Sequence, residues 1–491
     1  MERRAWYFYG ANLLLFAVAF SVWQFESVPI VAWLCGCLVW AVATLPLAIW
    51  YRSRRHSLPM FELVCLAYGF AYGVALFTTP NWITIASHRV DLDWDLIQNA
   101  TVLAAAGIAT GILGFFVAMH CARYLGLGAL TLDVPVSARR AYIVAGICLG
   151  LAAKVVNLFH PSSDTAYGAI LAAAESQFYI GLFILAYDTF AHGQSKLPLI
   201  AVTGVATSIG LLGGVMETAM LPLVLVVIAS WQARRRFPFV LAALAAVFFF
   251  AINPVKYQYR QLTWWGEENV SAVDRVMNWI DAAQTTYLNF KDPLAADNEE
   301  DTPIGGTMQR IDLLHKFAYV QSMTPQAVPF LGGLSYDYLL YTFVPRVVWP
   351  DKPKASDSID LVDYAYGFRF IEQNNPSSIG AGFIAEAYAN FSWWGILMVM
   401  AIQGVIFGLL NRLLNGNYIG GQAIYATVMM MFLNGIGSSA VVLFGNIVQF
   451  TIVSILFQRA FCGSAAYITR NVHFGRAMQS SRTVRALGSA K

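Results

Sequence analysis

Residues 97–120 read I-Q-N-A-T-V-L-A-A-A-G-I-A-T-G-I-L-G-F-F-V-A-M-H, a run without Asp, Glu, Lys or Arg. At 1.5 Å per residue, about 20 apolar residues cover the roughly 30 Å hydrocarbon core of a bilayer. The run is therefore long enough to cross a membrane as one helix. Comparable runs recur on both sides of it. The spacing predicts spans at 6–24, 28–50, 59–79, 97–120, 141–159, 167–190, 198–214, 218–232, 236–253, 392–411, 420–436 and 438–458. The pair 198–214 and 218–232 reads either as two short spans or as a re-entrant pair around Gly213, Gly214 and Glu217. Composition agrees: the chain of 491 residues is 58% hydrophobic and 12% charged, with a mean hydropathy of +0.57. A soluble domain carries roughly 25% charged residues. The fold class expected is an all-α polytopic membrane protein with about twelve transmembrane helices.

The short connections carry the orientation signal. Arg52, Arg54 and Arg55 follow the second span, and Arg123, Arg139 and Arg140 separate the fourth from the fifth. Arg234, Arg235 and Arg236 follow the eighth, and Arg459, Arg470, Arg476, Arg482, Arg485 and Lys491 lie in the tail. Strict alternation puts all these clusters on one side, and the positive-inside rule makes that side the cytoplasm, with both termini there. Arg3 and Arg4 precede the first run and no small-x-small cleavage site follows, so a retained first span is expected. The organisation expected is spans one to nine over 1–253, a large outer loop over 254–391, spans ten to twelve over 392–458, and a basic tail over 459–491 that contacts solvent or lipid headgroups. No internal repeat is visible.

The outer loop is 138 residues long and holds about 17 acidic and 10 basic side chains, so the polar chemistry concentrates there. Helical spacing of Val273, Val276, Met277, Ile280 and Tyr287 predicts an amphipathic helix over 272–290. Met308, Ile311, Leu314, Phe317 and Val320 predict another over 307–321, both lying over the membrane or on the bundle. The acidic stretch 292–306 reads as a connector, and the prolines and glycines of 329–355 exclude a long helix. The loop is rich in aromatic residues, Tyr336, Tyr338, Tyr341 and Trp349 among them, which suit either sugar faces or an interfacial belt. Cys35, Cys37, Cys65, Cys121, Cys148 and Cys462 all lie outside the loop, which excludes a disulfide framework for it.

From Arg310 the loop runs R-I-D-L-L-H-K-F, then T-P-Q-A-V-P-F-L-G-G-L-S-Y at 324–336, V-P-R-V-V-W-P-D-K-P at 344–353 and G-F-I-A-E-A-Y-A-N-F-S-W-W-G at 382–395. This order resembles the Wzy-type bacterial O-antigen and exopolysaccharide polymerases, over about 310–400. The resemblance implies a metal-independent, GT-C-like glycosyltransferase without a cofactor. Its donor and acceptor would be oligosaccharide repeat units on undecaprenyl pyrophosphate, joined at the outer face of the bacterial cytoplasmic (inner) membrane with inversion. Membrane lipids and a chain-length regulator would be partners. The net charge of +3 suggests no nucleic-acid partner.

Such a transfer breaks a glycosyl–pyrophosphate bond, and the departing group needs positive donors where its charge develops. Arginine suits this, because its planar fork stays protonated and binds phosphate oxygens. Arg260, Arg310 and Arg346 are the first candidates, and Lys256 and Lys352 the second. Lys256 and Arg260 lie near a span end at headgroup depth, where they would bind the lipid pyrophosphate or merely snorkel. Arg346 would bind it or pair with Asp351 or Asp337. The acceptor hydroxyl needs a base. His315, three positions after Asp312, and Glu386, just before the tenth span, are both candidates, and sequence does not choose between them. Tyr336, Trp349, Asp351, Lys352 and Asn390, in the segments that carry the resemblance, are the remaining substrate-binding candidates.

Charges inside spans need partners. Lys154 and Glu175 fall in the outer halves of neighbouring spans, either as a structural pair or lining a groove for the carrier lipid; Glu217 is placed to join them. Asp91, Asp93 and Asp95 form a D-L-D-W-D loop that reads as solvated rather than metal-binding. No His-Glu-x-x-His, Walker or dinucleotide motif is present. An O-antigen-ligase-like transferase and a non-enzymatic lipid-linked-glycan flippase are the rival functions. A flippase would spread charge along the bundle and repeat internally.

Overall fold

A computed structural model describes residues 2–22, 28–53, 57–85, 88–159, 168–263, 271–287, 311–344, 349, 351–369, 380–462 and 468–470. The protein is almost wholly helical. Each predicted span coincides with an apolar helix: α1 (Glu2–Val22), α2 (Ile30–Arg52), α3 (Met60–Thr78), α4 (Trp94–Tyr124), α5 (Val136–Phe159), α6 (Gly168–His192), α7 (Leu197–Leu212), α8 (Met216–Arg234) and α9 (Phe239–Ile252), then, beyond the loop, α15 (Phe383–Leu414), α16 (Ile419–Asn434) and α17 (Ala440–Cys462). Among the described residues eight of these are long and apolar enough to cross a membrane, and four apolar helices are shorter, within α1, α7, α9 and α16. Helices are the form such sequences must take, because hydrocarbon offers no partner for an open N–H or C=O.

Side-by-side contacts fix the helix directions. Glycines 107, 111 and 114 of α4 lie against Ile396, Met400 and Ala401 of α15, while Gly404 and Gly408 of α15 lie against Gly111 and Phe115 of α4. Rising numbers meet rising numbers, so α4 and α15 are parallel, with backbones brought together by small residues. Antiparallel neighbours are α3 and α15 (Tyr68 with Gln403; Leu58 with Asn415), α5 and α6 (Gly146 against Gln177), α7 and α8 (Gly210 against Ala219), and α8 and α16 (Gln232 with Gln422). Two ends follow. Thr78, Trp94, Phe159, Gly168, Leu212, Met216, Phe383, Asn434 and Ala440 lie at the loop end. Arg52, Arg123, Arg139, Arg234, Arg412 and Arg459 all fall at the opposite, tail end, where Arg139 pairs with Asp188 at 2.9 Å.

The short elements differ most from expectation. The D-L-D-W-D stretch closes a hairpin of β1 (Trp82–Ile85) and β2 (His88–Asp91), in which Asp91 pairs with Arg89 and Asp93 sits at the N-cap position of α4. Residues 198–232 form the antiparallel hairpin α7–α8, turning at Gly213–Val215. After β3 (Leu127–Leu130), which pairs with β4 (Ile468–Arg470), the loop contributes α10 (Val255–Thr263), α11 (Ala272–Tyr287), α12 (Leu314–Met323), α13 (Leu334–Thr342) and α14 (Asp357–Ala365). The helix predicted over 272–290 is α11, with Val273, Val276, Met277 and Ile280 exposed on one face. Within the helix predicted over 307–321, Ile311 is helical, Asp312 and Leu313 are not, and α12 runs from Leu314; this last part is not superficial. Leu314, Phe317, Ala318 and Val320 are fully buried, because the Leu313 N–H bonds at 3.2 Å to the Ala71 carbonyl in the π-turn Gly69–Val74 of α3. Residues 307–310 and the connector 292–306 lie outside the described residues. α13, nine residues long, is consistent with the exclusion of a long helix over 329–355. The tenth span also differs: α15 starts at Phe383 and is interrupted at Phe391 (φ −137°, ψ 20°) and Ser392 (φ 60°, ψ −157°).

A Cβ on Gly404 would overlap the carbonyl oxygen of Gly111, whereas one on Gly204 of α7 would meet nothing within 4 Å. Gly404→Val is expected to cost at least about 3 kcal/mol, because backbone cannot yield as a side chain does. Thermal unfolding in detergent should show a lower transition, or loss of monodisperse protein, for Gly404→Val and no change for Gly204→Val.

Candidate functional site at the loop end

Two of the segments that carry the sequence resemblance, 324–336 and 382–395, meet at the interruption in α15. A helix break leaves carbonyls without an intrahelical partner, and buried carbonyls must be paired. Here the loop pairs them. The N–H groups of Leu331 and Gly332 bond to the carbonyls of Ala389 and Asn390 at 2.9 and 3.2 Å. Gly332 (φ 61°) and Gly333 (φ 101°) adopt left-handed backbone, which glycine accepts without a Cβ penalty. The Gly333 N–H then reaches Asn390 Oδ1 at 2.9 Å.

Asn390 and Glu386 are one helical turn apart and share Ser335. Asn390 Nδ2 donates to Ser335 Oγ (2.9 Å) and to the Glu386 carbonyl (2.8 Å). Ser335 Oγ donates to Glu386 Oε1, and the Ala440 N–H at the start of α17 donates to Glu386 Oε2, both at 2.8 Å. Both carboxylate oxygens are thus engaged, and a carboxylate suits a helix N-terminus. Beside Glu386, between Ser358, Gly380, Ser438 and Ser439, lies a cavity with about 10 Å³ of water-accessible volume, space for a single water and not for a sugar. Glu386 has the geometry of a structural carboxylate joining α13, α15 and α17.

His315 is held by a carboxylate and a hydroxyl. Its Nδ1 lies 2.6 Å from Asp312 Oδ2, and Thr79 Oγ1, at the end of α3, lies 3.0 Å from the same oxygen and 3.1 Å from Nδ1. Asp312 Oδ1 accepts the His315 N–H at 3.1 Å, capping the start of α12. All three side chains are buried. Burial pushes the Asp312 carboxyl up, but the His315 imidazole and the hydrogen bonds from His315 and Thr79 outweigh it and hold the group below the usual carboxylate range. An ionised Asp312 accepts Nδ1–H and so orients the ring. The two clusters are joined through Leu313, whose side chain meets Gly382 and Gly437.

Other sequence candidates have different surroundings. Arg310 and Arg346 lie outside the described residues. Arg260 Nε donates to the Gly214 carbonyl at 2.9 Å, beside Arg275 and Trp279 on the carbonyls of Leu212 and Leu211, so these side chains close the C-terminal end of α7. Lys256 is half-buried in α10 with a neighbour of its own. Lys352 Nζ bonds to the carbonyls of Tyr341 and Val344 (3.1 and 2.6 Å) at the end of α13. Trp349 is exposed and meets Tyr341 edge-on at 5.8 Å, and Asp351 is an exposed turn residue. Tyr336 stacks on Phe391 at 6.1 Å. Thr79 and Ser335 had no signal in the sequence beyond their place near a span end and in the glycine turn. The expected pair within the bundle is formed: Lys154 Nζ contacts Glu175 and, at 2.6 Å, the Tyr179 hydroxyl, with Glu217 in electrostatic range beside Asn434. Among the described residues no group of three His, Cys, Asp or Glu is placed to hold a metal ion.

A family model described as a domain of unknown function (DUF8712) matches residues 96–464, from the start of α4 to just beyond α17. No curated protein and no solved structure matches the chain.

Asn390→Ala strands the Gly333 N–H and removes a donor from Ser335, at a cost of about 2 kcal/mol. Glu386→Gln should be tolerated, because an amide can accept from Ala440 and donate to Ser335, whereas Glu386→Ala should destabilise as Asn390→Ala does. Thermal unfolding in detergent checks all three; equal losses for the Gln and Ala variants of Glu386 would contradict the structural role.

Proposed function

We propose that this chain, which belongs to the DUF8712 family, joins undecaprenyl-pyrophosphate-linked oligosaccharide repeat units into O-antigen or exopolysaccharide at the outer face of a bacterial cytoplasmic membrane. It crosses that membrane twelve times, with both termini in the cytoplasm and 254–391 in the periplasm. One observation carries the reading: the segments that resemble polymerases, 324–336 and 382–395, are hydrogen-bonded to each other, and the Asp312–His315 pair from the same run packs beside them.

In this reading an acceptor sugar hydroxyl attacks the anomeric carbon of the donor. His315 Nε2 takes the hydroxyl proton while Asp312 holds the ring. The new glycosidic C–O bond forms as the bond to pyrophosphate breaks, and a single displacement inverts the centre. Undecaprenyl pyrophosphate departs with the negative charge, held by Arg310, two residues before Asp312 in the chain, and by Arg346. Tyr338, Tyr341 and Trp349 offer aromatic faces to the sugars near the end of α13. Glu386 and Asn390 position the loop. No metal or cofactor takes part. A chain-length regulator is a further partner.

A strain lacking the gene should display single repeat units on its surface lipid. A flippase defect would instead trap units inside, and a ligase defect would accumulate long chains still on undecaprenyl pyrophosphate. His315→Gln, Arg310→Ala and Arg346→Ala should each reproduce the deletion at normal expression, while Glu386→Gln retains polymer. Full-length chains in the His315→Gln strain would remove His315 from the reaction.

A further inference from the structure

The loop helix α13 runs beside α17, a helix long and apolar enough to cross a membrane, with Arg459 in its last turn at the tail end. Ala440 precedes Arg459 by 19 residues, about 28 Å of helix and close to one hydrocarbon core. Ala440 therefore marks the opposite boundary of that core. The start of α13 is level with it, because Ser335 and the Ala440 N–H share the Glu386 carboxylate. The end of α13 lies deeper. Thr342 packs on Gly445, where a Cβ would come within 2.8 Å of the Thr342 Cβ, and the Gln449 amide donates to the Thr342 carbonyl. Rising numbers meet rising numbers, so α13 runs inward along α17. Five residues separate Ala440 from Gly445, which sets the last turn of α13 about 8 Å below the boundary.

The end of α13 has the partners that such a depth requires. A helix that stops in water leaves its last carbonyls to solvent, whereas one that stops in hydrocarbon must have them paired. Here the carbonyls of Tyr341 and Val344 accept from Lys352 Nζ at 3.1 and 2.6 Å, and that of Thr342 accepts from Gln449. The outward side chains agree. The exposed charge of α13, Asp337, lies in the half nearer Ala440, while Leu340 and Phe343, 69% and 52% exposed, lie at the deep end. On α17, Val448 and Ile452 flank Gln449 in the chain and are exposed as well, so the apolar surface of α17 continues onto α13. Tyr341 and Trp349 meet at the same end, and such rings favour the layer between acyl chains and headgroups, where a lipid-linked sugar also lies.

We propose that α13 is a re-entrant helix: it enters the membrane leaflet at the loop end, where Leu340 and Phe343 contact the acyl chains of the surrounding lipids. Part of the segment 254–391 then lies within the membrane rather than wholly outside it. This placement holds whether or not the chain polymerises glycans.

The test places a benzophenone amino acid at Leu340, Phe343, Leu456 or His88 of the full-length protein, reconstituted in vesicles of phosphatidylethanolamine and phosphatidylglycerol. Under ultraviolet light the ketone inserts into a C–H bond of whatever it touches, and mass spectrometry measures the yield of protein–lipid adduct. Leu456, exposed on α17, is the membrane reference, and His88, exposed in the β1–β2 hairpin, is the aqueous one. Yields at Leu340 and Phe343 should approach that at Leu456 and exceed that at His88 by about tenfold or more. Both positions are exposed, so the label does not have to enter the packed core, and one remains informative if the other fails to fold. A yield no higher than that at His88, at either position in folded protein, overturns the proposal.

Discussion

Every backbone group buried in this bundle needs a partner, and the points where a helix cannot supply one decide where the loop attaches. Two such points stand out. At the π-turn in α3, the Ala71 carbonyl takes the Leu313 N–H. At the break in α15, the carbonyls of Ala389 and Asn390 take the N–H groups of Leu331 and Gly332. Helix irregularities at membrane depth are tolerated when neighbouring segments satisfy them, and π-turns are frequent at functional sites. Here the satisfying segments are pieces of one long loop. A loop that would otherwise hang free is thereby registered against the bundle at two places, about 20 residues apart in its own sequence.

That registration assembles the candidate site. Leu313, bonded to Ala71, carries Asp312 to Thr79, and Asp312 in turn caps α12 and orients His315. Gly332 and Gly333, bonded at the α15 break, bring Ser335 to Glu386. The two carboxylates then do different work because their surroundings differ. Asp312 spends one oxygen on an imidazole and the Thr79 hydroxyl and the other on the N–H of His315 at the start of α12. Glu386 spends its oxygens on the Ser335 hydroxyl and the N–H at the start of α17, which joins three helices.

Much of the fold was legible. A bilayer imposes its length on each apolar run, so the helices other than α15 could be placed within a few residues, and the described arginines of the clusters fell at one end as alternation demands. Contacts between near neighbours in sequence were legible too, as with Asp312 and His315, or Lys154 and Glu175 on adjacent spans. Partners distant in the chain were not. Nothing local marks Thr79 as the neighbour of a residue 233 positions away, or the Ala440 N–H as the acceptor's partner for Glu386. The break at Phe391–Ser392 carries no proline to announce it; the loop bonds to the carbonyls of the two residues before it. Short strands such as β1 and β2 fall below the length at which alternation shows. Arg260 had the right depth for a lipid diphosphate, but periodicity cannot reveal that the open carbonyls of the α7 end claim it.

The most direct measurement is elongation by the purified protein. Incubated in detergent with an undecaprenyl-pyrophosphate-linked repeat unit and no metal, ATP or partner, it is predicted to yield a ladder of longer lipid-linked glycans and one free undecaprenyl pyrophosphate per linkage formed. A monodisperse, folded preparation that leaves the repeat unit unchanged across neutral pH would contradict the account.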